Sequence, residues 1–313
     1  MEQANQPKKQ ARLFVGQSHD TRRLVNVTRS IYVVLVLLGI WQRHNLQCIV
    51  DMTWHYLRST WVFNSVYFET WWATIIYPVI LIFPLTLDKL RMFDMFKLDP
   101  TLKWQSASFV SHLIEALTYS APLMLLDTFI VKRYYDVDPA EWEIRRVNWI
   151  QHTRALPKDP PTVFEIVYQL AFSFIIYDLL FYVVHVLLHK NMWLYKHIHA
   201  VHHDHHVVHS RVTNQLSVPE RIVLVLSANQ ALKIMRSHPL TRAIFVPLFL
   251  GWLTENHCGY DLPFTLDKVI PLGLIGGSAR HYAHHVQGSR HYQPFFTYLD
   301  NMFHSQRKEG KKD

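Results

Sequence analysis

The sequence predicts an all-α, polytopic membrane protein with about four transmembrane helices, a half-span hairpin and a cytosolic helical cap. Three observations support this fold class. Half of the 313 residues are hydrophobic and 14% are aromatic, whereas only 18% are charged, which is fewer charges than a soluble domain usually carries. Four apolar runs are each long enough to cross a bilayer. Most histidines lie after the last of these runs, where they predict a metal-binding cap.

The four apolar runs are interpreted as membrane spans because a helix needs about 20 mostly apolar residues to cross the hydrocarbon core. They cover residues 25–41, 71–87, 109–131 and 163–188. Arg29 lies near the start of the first run, and its side chain is expected to extend toward the interface. Two shorter runs, 222–232 and 243–253, are about half a span long and predict a re-entrant or interfacial hairpin.

The distribution of basic residues predicts the orientation of these spans. With the amino terminus in the cytosol, 24 of the 32 Lys and Arg residues fall on the cytosolic side, in agreement with the positive-inside rule. All residues after 189 would then face the cytosol. The net charge of +8 is spread beside apolar runs, so anionic headgroups are expected as partners and nucleic acid is not.

The chain is expected to contain one membrane-embedded domain, residues 24–303, whose histidine-rich core covers 163–303. A polar segment, residues 1–23, precedes it and has no apolar signal core, so no cleaved signal peptide is expected. A basic tail, residues 304–313, follows it.

Histidines recur with a spacing that suits metal binding. Of the 21 histidines, 15 lie between residues 185 and 291, most of them in three clusters. In the first cluster, His185 and His189 are four residues apart, which on a helix is about 40° of rotation and roughly 6 Å of rise. Both rings therefore leave the same face. The other two clusters share the pattern His-x-x-His-His, which also places its histidines on one face. They consist of His199, His202 and His203, and of His281, His284 and His285.

The number of candidate ligands predicts two metal ions. The clusters offer eight imidazoles, and His257 is a plausible ninth. A structural zinc takes four ligands and a catalytic zinc three, so nine are too many for one zinc ion. Imidazole suits iron, zinc, copper or nickel, which leaves the element open. The membrane setting favours a redox metal that meets the hydrocarbon of a lipid.

Carboxylates commonly orient metal-binding imidazoles through the other ring nitrogen. Asp178, seven residues before His185, and Glu255, two before His257, are candidates for this role. The alternatives are a hydrogen bond within the helix bundle for Asp178 and a solvated charge for Glu255. Four further histidines, expected to lie around the ligands or in solvent, are His197, His205, His206 and His209.

The clusters, in this order and after paired membrane hairpins, resemble the fatty acid hydroxylase and sterol desaturase superfamily of membrane di-iron oxygenases. The resemblance runs from about residue 66 to 303. Its markers include the segments Asp178-Leu-Leu-Phe-Tyr-Val-Val-His185 and His257-Cys-Gly-Tyr-Asp-Leu-Pro263. Within the superfamily, segments 216–220 and 237–241 are most similar to the cholesterol 25-hydroxylases.

The resemblance implies a monooxygenase that hydroxylates a sterol or related lipid. It implies two iron ions that alternate between Fe²⁺ and Fe³⁺, O2 as the oxidant, and electrons from NAD(P)H through a cytochrome b5 or reductase partner. It also implies the endoplasmic reticulum membrane, with the histidine clusters facing the cytosol. No oligomeric state is predicted.

The sequence is also compatible with other functions. Within the superfamily, the alternatives are a C4-methylsterol oxidase, a sterol desaturase and a squalene-epoxidising enzyme. Outside it, the alternative is a histidine-rich metal transporter or sensor without catalysis. Transporters place their ligands near the middle of the bilayer, whereas these clusters mostly follow the fourth run.

Overall fold

The structure is a computed structural model that describes residues 19–102, 109–130, 156–205 and 207–304. Within these ranges the chain is helical, with two isolated bridges and no β-strand, so the all-α prediction is confirmed. Residues 1–18 of the predicted polar segment, residues 305–313 of the tail, and His206 lie outside the described residues. The longer helices are α1 (His19–Trp41), α2 (Arg43–Ser59), α3 (Phe68–Leu90), α4 (Phe109–Ile130), α5 (Val163–Lys190), α6 (Val218–Ile234), α7 (Pro239–Asn256), α8 (Ser278–Gln287) and α9 (Tyr298–His304).

Short helical turns connect these helices. The α-helical turns are Trp61–Asn64, Met192–Leu194, Ala200–His203 and Leu266–Val269. A π-helical turn covers Tyr195–His199, and 3-10 turns cover Asp94–Phe96, Ser210–Asn214 and Pro271–Gly273.

Three helices of the described part are long and apolar enough to cross a membrane. They are Thr21–Trp41 within α1, Phe68–Leu90 and Val163–Lys190, and they contain the predicted first, second and fourth runs. Helix α4 covers the predicted third run except Val131, which lies outside the described residues. Its role as a span stays a prediction.

Helix α5 is longer than a bilayer requires. Its 28 residues extend about 42 Å, compared with about 30 Å for the hydrocarbon core. A capping box fixes its start, because the Thr162 hydroxyl accepts from the Glu165 N–H and the Glu165 carboxylate accepts from the Thr162 N–H. The excess length allows the last turns, which carry His185 and His189, to extend beyond the hydrocarbon.

The main core cluster lies between α5, α6 and α7 and includes Phe295 from the C-terminal segment. Aromatic rings interlock there: the Tyr177 and Phe249 centroids are 4.7 Å apart and nearly perpendicular, a favourable arrangement for aromatic pairs. Helices α6 and α7 have 17 and 18 residues, longer than the two predicted half-span runs, and their arrangement as a hairpin stays a prediction. Packing in this cluster fixes the position of α5 relative to α6 and α7.

Candidate metal centre

Nine buried or half-buried histidines form two adjacent groups. Within each group, one ring nitrogen of every member lies within 4.8 Å of the others. Group A consists of His185, His189, His199, His203 and His284, and group B of His202, His257, His281 and His285. The groups are in contact, since the ring centroids of His203 and His285 are 4.7 Å apart. The structure thus brings together all nine predicted ligands, and their role as ligands stays a prediction.

The two His-x-x-His-His clusters each contribute to both groups. His199 and His203 join group A, whereas His202 joins group B. In α8 the division is reversed: the first and last histidines join group B and His284 joins group A. Positions i+3 and i+4 lie about 100° apart around a helix, so neighbouring histidines can face different centres. Each of these two clusters therefore links the two groups.

Hydrogen bonds indicate which nitrogen of each ring faces the centre. Four Nδ1 atoms lie 2.7–3.3 Å from a backbone carbonyl oxygen, in the pairs His185–Tyr292, His202–Gln215, His257–Leu253 and His284–Arg290. A carbonyl oxygen can only accept, so these partners assign the proton to Nδ1 in each ring. The Nε2 lone pairs of the four rings are left to face their groups.

The converging nitrogens fit metal ions. In group A, the Nε2 atom of His189 lies 3.1 Å from that of His284 and 3.0 Å from that of His199. The Nε2 atom of His185 is buried and has no hydrogen-bond partner among the residues that the structure describes. Two imidazoles at about 2.1 Å from one ion and at right angles would be about 3.0 Å apart. Lone pairs this close repel each other, and a cation between them would convert that repulsion into attraction.

Glu220 holds one of these imidazoles and was not predicted from the sequence as a site residue. Its Oε1 atom lies 2.6 Å from Nδ1 of His199, and both side chains are buried. Burial raises the pKa of Glu220 and lowers that of His199 to about 2, because desolvation penalises both charged forms. The positive charge of a bound metal would favour the ionised carboxylate and the Nδ1–H form of His199. Glu220 also lies in the first turn of α6, where Ser217 caps its N–H, so its sequence pattern indicates only a helix start.

Replacing Glu220 with glutamine is expected to weaken metal binding by about 10-fold or more, because the partner of a metal-bound imidazole typically contributes that much. The measurement is iron content per chain across a chelator titration. Glu115→Gln is the matched control, since Glu115 pairs with Arg211 at 3.0 Å and lies in neither histidine group. Equal iron affinity in wild type and Glu220→Gln would contradict the positioning role.

Burial also keeps imidazoles outside the membrane-length helices neutral. Desolvation is the main cause that lowers the pKa of His203 and of His257 to about 4, from an ordinary value of 6.5. The pKa values of His202 and His281 are lowered as well, first by burial and then by neighbouring histidines. Neutral imidazole is the form that binds metals.

Acidification from about pH 6.5 to about pH 4 is therefore expected to destabilise the metal-free protein. In this window the unfolded chain binds protons that the folded histidines do not, so the free energy of unfolding falls as the pH falls. The midpoint of thermal unfolding in detergent, recorded at several pH values, measures this effect. A midpoint that stays constant or rises on acidification would contradict it.

Asp178, one of the two carboxylates predicted to orient an imidazole, has other partners. Asp178 accepts hydrogen bonds from the backbone N–H groups of Phe295 and Phe296, at 2.8 and 3.2 Å, and from the side chain of Gln293. It thereby holds the segment whose Tyr292 carbonyl binds His185. The effect of Asp178 on the imidazole is therefore indirect.

Glu255 does not occupy the predicted orienting position either. The Leu253 carbonyl binds Nδ1 of His257 at 2.7 Å. One carboxylate oxygen of Glu255 is buried, and no hydrogen bond reaches it from the described part of the chain. Burial and the nearby Asp267 charge raise the pKa of Glu255 to about 8, so the alternative prediction of a solvated charge is wrong. The backbone carbonyl of Leu253, in the last turn of α7, therefore orients His257 where a carboxylate was expected.

The additional histidines differ in their surroundings. His197 is exposed, and its Nδ1 lies 2.9 Å from the Trp193 carbonyl. The His205 ring lies beside His285, with centroids 4.9 Å apart, and burial lowers the pKa of His209. None of these three belongs to group A or group B among the described residues.

Comparison with known proteins confirms the resemblance. The fatty acid hydroxylase family model matches residues 170–305. This matched part, somewhat less than half of the chain, is similar to the fatty acid hydroxylase family. The matched fatty acid hydroxylase segment contains all nine histidines of groups A and B, together with Asp178 and Glu220.

Curated relatives of this fatty acid hydroxylase segment carry sterol hydroxylase names. A cholesterol 25-hydroxylase-like protein of Danio rerio is 32% identical over 157 residues, which are 50% of this chain and 62% of the relative. Cholesterol 25-hydroxylase of Mus musculus is 30% identical over 156 residues, which are 50% of this chain and 52% of the relative. The protein of the same name from Homo sapiens is 29% identical over 156 residues, 50% of this chain and 57% of the relative. The chain thus spans between half and two thirds of the length of these relatives. No solved structure matches significantly.

Proposed function

We propose that this chain is an integral membrane, di-iron, O2-dependent lipid oxygenase that hydroxylates a sterol. The observation that carries the proposal is the convergence of nine histidines into two adjacent groups at the end of a membrane-length helix. The similarity to proteins named cholesterol 25-hydroxylase supports the substrate class. Two histidine groups in contact suit a pair of ions that act together on one substrate.

The histidines would hold the iron ions, with five imidazoles available in group A and four in group B. Iron bound there would supply the activation of dioxygen that insertion of one oxygen atom into an unactivated C–H bond requires. Neutral imidazole can bind iron in both oxidation states. The Nδ1 hydrogen bonds to carbonyl groups hold the rings in place, so that little reorganisation is needed during turnover. Burial of most of the rings limits the access of water to the centre.

The cellular setting is part of the same proposal. We place the enzyme in the endoplasmic reticulum membrane with both histidine groups facing the cytosol, and with electrons supplied from NAD(P)H through cytochrome b5 or a reductase. The excess of Lys and Arg on the predicted cytosolic side supports this orientation.

The proposal is tested by incubating membranes that contain the protein with a sterol panel under ¹⁸O2 and NAD(P)H. We expect a hydroxysterol that carries one ¹⁸O atom, detected by mass spectrometry. His202→Ala should abolish it, whereas His197→Ala, which changes a nearby exposed histidine outside the cluster, should not. Product that lacks the label, or labelled product that persists in His202→Ala, would refute the proposal. A labelled epoxide, or an unlabelled product with a new double bond, would refute sterol hydroxylation and identify another reaction of the superfamily.

A further inference from the structure

A cavity of about 340 Å³ lies between the N-terminal part of α1 and segment 267–273. Three basic side chains line it, Arg22, Arg29 and Lys268, together with one acidic side chain, Asp267. Lys268 is paired with Asp267 at 2.8 Å and with Asp261 at 2.7 Å. No ion pair involves either arginine within the part of the chain that the structure describes. The two arginines therefore give the cavity a positive charge.

The Arg29 side chain is anchored at this cavity. Its Nε atom donates to the Val269 carbonyl at 3.0 Å, and its Nη2 atom donates to the Lys268 carbonyl at 2.8 Å. A guanidinium group has five N–H donors, so further donors remain for an anionic ligand. Arg22 lies two turns earlier on the same face of the helix.

A second cavity, an open apolar groove of about 440 Å³ on one face of α1, continues along this helix and shares Asn26 with the first. Its lining includes Ile31, Val34 and Leu35. These residues belong to the stretch of α1 that is long and apolar enough to cross a membrane. The two cavities together therefore lead from a cationic site at the end of the helix into its hydrocarbon-facing surface.

Two leucines are exposed at or next to segment 267–273, which lines the cationic cavity opposite α1. Leu272 is 88% exposed and Leu274 is 50% exposed. Exposed leucines beside a cationic cavity at the end of a span are expected at a membrane surface, where apolar side chains enter the lipid and basic ones meet phosphates.

We propose that the two cavities bind one anionic phospholipid. Its phosphate lies between Arg22 and Arg29, and one acyl chain lies along Ile31, Val34 and Leu35. Arginine is suited to phosphate because its N–H groups can donate two parallel hydrogen bonds to phosphate oxygens. A soluble anion would leave the adjoining apolar cavity unfilled, which favours a lipid. This site is separate from the histidine centre and does not depend on the proposed function.

The position of this site connects it to the histidine groups. The Asp267 carboxylate lies against Gly277, where a Cβ atom would overlap it. Gly277 immediately precedes α8, which carries three of the nine histidines. A lipid that holds α1 against segment 267–273 should therefore also stabilise the start of α8.

The test uses the full chain purified in detergent, with lipid binding followed by native mass spectrometry and by the midpoint of thermal unfolding. The probes are phosphatidylglycerol, phosphatidylcholine and inorganic phosphate. We expect phosphatidylglycerol to bind at one per chain and to raise the unfolding midpoint, and we expect weaker effects of phosphatidylcholine and inorganic phosphate.

Arg22→Gln should weaken phosphatidylglycerol binding by about fivefold, the contribution expected from one basic residue near anionic lipid. Arg23→Gln, a neighbouring arginine outside the cavity lining, is the matched control.

A second pair of variants tests the acyl chain site. Val34→Trp should fill the apolar cavity and weaken phosphatidylglycerol binding, whereas Val33→Trp, outside its lining, should not. Equal binding of phosphatidylglycerol and phosphatidylcholine would overturn the proposal, as would equal effects of Arg22→Gln and Arg23→Gln. Stabilisation by inorganic phosphate as strong as that by phosphatidylglycerol would indicate a phosphate site in place of a lipid site. Iron content is measured in detergent without added phospholipid, where wild type and Arg22→Gln should be equal. A low iron content in both proteins would therefore indicate a failure of the proposed function and not of the lipid site.

Discussion

His284→Ala is expected to lower iron binding and reduce product formation by more than about 100-fold. His284 is fully buried in group A, and its Nε2 atom lies 3.1 Å from that of His189. Loss of a residue that only orients a metal ligand typically reduces affinity or activity by about 10-fold to 100-fold, and loss of a ligand should have a larger effect. Iron content by elemental analysis and labelled product by mass spectrometry measure the two effects.

One control and one further test variant make the result for His284→Ala interpretable. His197→Ala removes an exposed imidazole and should retain iron and turnover. His285→Ala, at a half-buried position of group B, tests the second group where folding is less at risk. Full turnover in both His284→Ala and His285→Ala would contradict the two-metal centre.

Asp178→Ala is expected to lower the free energy of unfolding by about 3 kcal/mol or more. It would leave the N–H groups of Phe295 and Phe296 and the amide of Gln293 without their acceptor, and each buried unpaired group costs about 1–3 kcal/mol. Because the same segment contains the Tyr292 carbonyl that binds His185, iron affinity should fall together with stability. The midpoint of thermal unfolding and the iron content per chain are the measurements.

The chemistry of the carboxylate can be separated from its volume. Asp178→Asn keeps one acceptor oxygen and should therefore destabilise the protein less than Asp178→Ala does. Asp204→Ala changes an exposed aspartate at the end of the second histidine cluster and is the control. If Asp178→Ala matched Asp204→Ala in stability and iron content, the role of Asp178 in holding the C-terminal segment would be disproved.

Much of the site could be predicted from the sequence because its main signals are local. The four-residue spacing of His185 and His189 and the repeated His-x-x-His-His pattern depend on helix geometry alone. The spacing could not show that His202 belongs to group B while His199 and His203 belong to group A. This division depends on histidines that other helices place on the two sides of the turn.

The residues that support the imidazoles could not be predicted in the same way. Glu220 is 21 positions from His199, and Tyr292 is 107 positions from His185. Their pairing depends on how α6 and the C-terminal segment pack against α5, which no local pattern records. Asp178 and Glu255 are the carboxylates nearest in sequence to His185 and His257. In the structure, however, backbone carbonyl groups bind the Nδ1 atoms of these two histidines.

By itself, the sequence determined the helical class, the membrane-length helices and the nine histidines, because hydrophobic run length and residue spacing are properties of single segments. Only the tertiary structure decided how the histidines divide into two groups, which tautomers they adopt, and which partners hold them. Those features depend on contacts between segments that are distant in the chain, and packing of the whole helical core sets such contacts.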